Sequence, residues 1–103
     1  MQRFDFSLTP EDIELTTRFM MLLADDHKEF WCSDDFRSYH LDDEIADKQH
    51  GIGCYFSKLK FNRVAVAVGE LASEIDSNNR RKVDLFKFDW ARWRSILRSR
   101  LIQ

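Results

Sequence analysis

Residues 51–90 constrain the fold of this chain more than any other stretch. They read as a short amphipathic helix (GIGCYFSKLK), a run of alternating valines (RVAVAVGE), a polar loop with a basic cluster (SNNRRK) and a second strand (VDLFKFDW). Val64, Val66 and Val68 alternate with alanines, the period-two pattern of a half-buried strand. Val83, Leu85, Phe86 and Phe88 form the returning strand, and the adjacent Leu85–Phe86 pair breaks strict alternation, for which a bulge is one explanation. The connection between the strands is long for a tight hairpin.

The chain has 103 residues, enough for one domain with a hydrophobic core that needs neither disulfides nor a structural metal. Nine phenylalanines supply much of its apolar area. The longest apolar run, Phe19 to Ala24, is far short of a membrane span, and MQRFDFSLTPEDIE places charges where a signal sequence would be apolar. No membrane partner and a cytoplasmic location are expected, with Cys32 and Cys54 as free thiols. The net charge of −2 conceals a division: residues 1–50 hold five Lys/Arg against thirteen Asp/Glu, a net of −8, while residues 51–103 hold eleven against five, a net of +6. Such asymmetry implies an anionic partner for the second half, or mutual attraction of the halves when folded.

Thr9, Pro10, Glu11 and Asp12 mark a helix start, and Ile13, Met20 and Leu23 recur at helical spacing, so a first helix over about residues 10–24 is expected. Residues 3–7 alternate and read as a short strand or an arm. Residues 30–32 suit a short strand, and Ser33-Asp34-Asp35 starts a second helix with Phe36, Tyr39 and Leu41 toward the core. Residues 41–47 form a turn, or the third helix begins at Asp42. On the third helix Ile45, Gln49, Ile52, Phe56 and Leu59 share one face, and His50, Cys54 and Ser57 the other, flanked by Gly51 and Lys58. Two helical glycines cost roughly 1 kcal/mol each relative to alanine, and a face of small residues lets another surface approach the backbone closely. Asp89 caps a last helix with Trp90, Trp93, Leu97 and Leu101 on one face and Arg92, Arg94, Arg98 and Arg100 mostly off it. The expected architecture is α+β in the order β-α-β-α-α-β-β-α: an arm over residues 1–8, a helical part over 9–61, a hairpin over 62–89 and a helix over 90–103.

From Gln49 to Phe88 the chain resembles the winged helix-turn-helix superfamily, particularly small domains from phages and mobile elements. The resemblance rests on the glycine-containing third helix with Phe56-Ser57-Lys58-Leu59, on Gly69 ending the first hairpin strand, and on Arg80 or Arg81 opening the second. It implies a winged helix: a three-helix core, a hairpin wing and an appended amphipathic helix. It also implies double-stranded DNA as partner, with the third helix in the major groove and the wing on the backbone. Cations at Lys48, Lys58, Lys60, Arg63, Arg80, Arg81 and Lys82, with polar Gln49, His50, Ser57 and Asn62, are the candidate nucleic-acid contacts. A regulator or a replication or mobile-element accessory factor is the expected role. Trp90, Trp93, Leu97 and Leu101 would form a homodimer interface or pack on the first helix of the same chain.

Competing chemistries are thinly supported. His50 and Cys54 lie four apart, with His27, Cys32 and His40 upstream, but no CxxC or HExxH spacing exists, so no metal or other cofactor is expected. The pairs Asp25-Asp26, Asp34-Asp35 and Asp42-Asp43 are adjacent and do not face one another on a helix, and no enzyme is expected. The remaining alternative is a protein-interaction module on the same scaffold, its acidic first half binding a basic partner or mimicking DNA.

Overall fold

The computed structural model of the chain describes residues 6–45, 51–72 and 82–102. Helix α1 spans Pro10–Asp25 and starts where its local chemistry dictates. The Thr9 Oγ1 accepts from the Asp12 N–H at 3.1 Å, and the Asp12 carboxylate accepts from the Thr9 N–H at 3.0 Å. This reciprocal cap satisfies two backbone donors that the first helical turn leaves open. The helix ends in a Schellman arrangement with His27 in the left-handed region (φ 55°), the Lys28 N–H bonding the Leu23 carbonyl and the His27 N–H that of Ala24.

Strand β1 is Phe30–Trp31, followed by helix α2, Ser33–Ser38, and a 3₁₀ turn, Leu41–Glu44. Ile45 then has extended backbone (φ −67°, ψ 124°), so it does not belong to the third helix as its spacing suggested, although it is buried in the core. Over the described residues 41–45 the turn reading therefore holds over a helix beginning at Asp42, and residues 46–47 lie outside the described set. Helix α3 is Gly51–Phe61, strand β2 Ala65–Ala72, strand β3 Lys82–Phe88 and helix α4 Trp90–Ile102. Among the described residues the architecture is α+β, with four α-helices and one antiparallel sheet in the order β1-β3-β2. No described helix is long and apolar enough to cross a membrane.

Strand β3 is central, and its alternation decides which side of the sheet is core. Trp31 pairs with Phe86, and Ala65 with Phe88, so these four side chains share the covered face. Phe19 of α1 is fully buried against them, meeting Trp31 at 4.9 Å and 80° and Phe36 at 5.0 Å and 88°, edge-to-face geometries that suit the ring quadrupoles. Phe56 and Leu59 of α3 and Trp93 of α4 complete the core. The buried Trp31 Nε1 meets no acceptor among the described residues.

Two strand expectations change. The bulge lies in β2, not β3: Ala67 pairs with Phe86 and Gly69 with Leu85, leaving Val68 as the extra residue. Val66 and Val68 are exposed rather than half-buried, as is every residue from Val66 to Leu71.

Candidate nucleic-acid interface

Polar contacts from Lys58 and Tyr55 tie helix α3 to α1. The Lys58 ammonium donates to the Asp12 carboxylate at 2.9 Å, with side chains only 12% and 9% exposed. One turn away the buried Tyr55 hydroxyl bonds Thr16 Oγ1. The Thr16 proton is committed to the Asp12 carbonyl at 2.7 Å, so Tyr55 is the donor in that pair. Burial pushes the Tyr55 phenol well above its ordinary value, so it keeps that proton at neutral pH. Lys58 is thus an internal partner of Asp12. The expectation that its ammonium meets phosphate is corrected: the third-helix face that packs inward extends to Tyr55 and brings its neighbour Lys58 with it.

Before its last residue, Phe61, what α3 leaves outward is small and sparsely charged. Gly53 and Lys60 are exposed, Ser57 is half-buried, and the Ser57 hydroxyl donates to the Gly53 carbonyl at 3.0 Å. That bond uses the only Ser57 hydroxyl proton, leaving its oxygen as an acceptor. A Cβ at Gly53 would meet nothing within 4 Å, so no contact inside the chain requires glycine there. Gly53→Ala is accordingly expected to raise stability by about 0.5–1 kcal/mol, the ordinary helical gain, in a chemical denaturation experiment. A loss of stability would mean that the position serves the chain's own packing.

The end of α3 is a Schellman turn with Arg63 in the left-handed region (φ 62°), where the Val64 N–H bonds the Leu59 carbonyl and the Arg63 N–H that of Lys60, each at 3.0 Å. This turn carries the Lys60 and Arg63 side chains outward, and neither has an ion-pair partner among the described residues. Asn62 is inward-committed: its Nδ2 donates to the Phe6 carbonyl at 2.7 Å and to the Lys58 carbonyl at 2.8 Å. Both amide protons are spent, so Asn62 anchors the turn and has no donor left for a ligand. Lys82 is exposed at the start of β3. Lys48, Gln49, His50, Arg80 and Arg81 lie outside the described residues.

The structure brings in Arg92, which spacing had placed only off the apolar face of α4. Asp89 caps that helix, its Oδ1 accepting from the Arg92 N–H at 3.0 Å, and the Arg92 Nε donates to the Asn62 carbonyl at 2.9 Å. The C-terminal helix therefore joins its basic side to the end of α3. Its apolar side packs inward: Trp93 is buried in the chain's own core and Leu97 packs against it. This corrects the dimer-interface expectation for Trp93 and Leu97; Trp90 is half-exposed, and the Leu101 side chain is outside the described set.

On the opposite charge pole, Glu11, Glu14, Arg18 and Glu44 line a shallow groove, with Arg18 bridging to Glu44 at 3.3 Å. Burial pushes the Cys32 thiol up, which disfavours its thiolate. Among the described residues no three His, Cys, Asp or Glu side chains gather where they could hold a metal ion. No family model, curated protein or solved structure matches the chain.

Proposed function

We propose that this chain is a winged-helix protein that binds double-stranded DNA, presenting α3 to the major groove and the β2–β3 hairpin to the backbone. The observation that carries this reading is the element order combined with the sheet order β1-β3-β2, in which a helix with a small-residue outer face leads into the antiparallel pair β2–β3. A third helix followed by a hairpin is what the winged-helix resemblance implies. Gly53 permits close approach, the Ser57 oxygen can accept from a base edge, and Lys60, Arg63 and Lys82 neutralise phosphates. Arg80 and Arg81, outside the described residues, are assigned to phosphates by the same reading. With few cations on α3 itself, affinity comes mainly from the helix end and the hairpin. A role as a regulator or as a replication or mobile-element accessory factor follows from the same reading.

The test is a labelled duplex titrated at several salt concentrations. Binding should weaken as salt rises, and Lys60→Ala should reduce the slope of log affinity against log salt by about one. Arg63→Gly is the more discriminating variant. Glycine suits the left-handed position better than arginine, so stability should rise by about 0.5–1 kcal/mol while duplex affinity falls and the salt slope drops by about one. Unchanged affinity and slope in both variants would overturn the role of the helix end, and failure to bind any duplex at low salt would overturn the reading.

One observation favours a second reading. Glu11, Glu14, Asp42, Asp43 and Glu44 are all exposed on α1 and the neighbouring 3₁₀ turn, a surface suited to a basic protein partner. Recovery of a basic partner that is lost in Glu11→Lys/Glu14→Lys, with no duplex binding by the wild type, would support it.

A further inference from the structure

The most exposed large apolar side chain among the described residues is Phe61, the last residue of α3, at 67%. It is nonetheless braced. The Phe6 ring stacks on it at 4.9 Å with 24° between the planes, and the Phe6 carbonyl is held by Asn62 Nδ2 at 2.7 Å. Phe61 is thus backed on one face by the N-terminal segment and open to solvent over most of the rest. Such a ring is a ready platform for another flat group.

Asn62 also connects this platform to a groove. Its carbonyl holds the Arg92 Nε at 2.9 Å, and Asn62 and Arg92 line a depression with Ser7, Ser95, Ile96 and Ser99. Among the described residues the lining holds one guanidinium and three serines but no carboxylate, in a chain whose net charge is −2. The exposed cations Lys60 and Arg63 stand on the same turn as Phe61. An aromatic platform beside a groove of hydroxyls and cations matches a polymer that alternates flat bases with phosphates.

We infer that the junction of α3 and α4 holds an unpaired nucleic-acid strand, with a base stacked on Phe61 and an adjacent phosphate at Arg92 and Ser95. The inference rests on the nucleic-acid reading for the class of its ligand and adds a second form of it. A base within a duplex is already stacked on both faces, so only an unpaired one can use the Phe61 ring. The Arg92 guanidinium is oriented by its Nε bond, which leaves its terminal nitrogens to donate to phosphate. Together the two contacts fit a single-stranded tail, a gap or a melted segment.

The experiment compares a labelled thymidine oligonucleotide with a blunt duplex, by fluorescence anisotropy. Loss of one stacked base predicts about 5- to 100-fold weaker oligonucleotide binding by Phe61→Ala, with Phe61→Trp retaining it and duplex affinity unchanged. Arg92→Ala should weaken the oligonucleotide complex and lower its salt slope by about one. Phe61 is exposed, so its variants should fold, and thermal unfolding of each checks this. Equal oligonucleotide affinity in Phe61→Ala and wild type overturns the inference, as does a wild type that binds duplex but no oligonucleotide; in the latter case the duplex reading survives alone. Oligonucleotide binding without duplex binding supports this inference and sinks the duplex reading. If polyglutamate displaces the oligonucleotide as well as unlabelled oligonucleotide does, the patch serves an acidic protein and the inference is wrong.

Discussion

Phe19→Ala is expected to destabilise the protein by about 3–5 kcal/mol, the range for emptying a buried phenylalanine site. Phe19 has no exposed surface and meets Trp31 and Phe36 edge-on, with Phe88 at 6.0 Å, so one side chain joins α1, β1, α2 and β3. The surrounding rings are themselves large and interlocked, which limits collapse into the vacated space and puts the cost toward the upper part of that range. Small domains have about 5–15 kcal/mol in total, so the variant should lose a large share of its margin. Phe19→Leu should lose clearly less. Urea denaturation of the two variants beside the wild type checks this, and a Phe19→Ala loss below about 1 kcal/mol would mean that the aromatic cluster is not the centre of the core.

Lys58→Ala should be nearly as damaging, at about 3 kcal/mol, although a lysine on a short helix ordinarily reads as a surface residue. Its removal leaves the Asp12 carboxylate, 9% exposed, without its cation inside the α1–α3 interface. Replacing both charges by neutral groups, Asp12→Asn with Lys58→Met, removes the uncompensated ion and should recover much of the loss. Recovery cannot be complete, because Asp12 also accepts from the Thr9 N–H at the start of α1. A double-mutant cycle measures the coupling directly. Additive single losses would show that the two groups do not depend on each other. Because Lys58 faces inward, the double variant should also leave the salt slope of duplex binding unchanged. A drop of about one would return Lys58 to the phosphate-contacting set.

The contrast between Lys58 and Lys60 illustrates how far the interface was legible. Both are lysines near the end of one helix, and residue type and spacing treat them alike. They differ because Lys58 lies three residues beyond Tyr55, on the edge that meets Asp12 and Thr16 of α1, whereas Lys60 lies off that edge. The partner of Lys58 is 46 residues away, and no local pattern announces it. Ser57 and Asn62 behave similarly. Each looks like a free polar reader in the sequence, and each has its donors committed to carbonyls once the backbone is placed. A lone aromatic at a helix end usually completes a core, so residue type alone does not single out Phe61. Only its stacking on Phe6 and the Arg92–Asn62 bond give it a setting.

Features set by neighbours in sequence were determined by the sequence alone: the Thr9–Asp12 cap, the extent of α1, the short strand before α2, the hairpin after α3, the Asp89 cap and the basic character of the second half. Capping, periodicity and charge act over a few residues or by composition, so they survive without a fold. Tertiary structure alone decided the sheet order, the position of the bulge at Val68, the exposure of Val66 and the division of the candidate contacts into committed and outward-facing groups. Those depend on which distant surfaces meet. A side chain's hydrogen-bonding capacity belongs to its residue type, but what remains available for a partner depends on what the packed chain has already used.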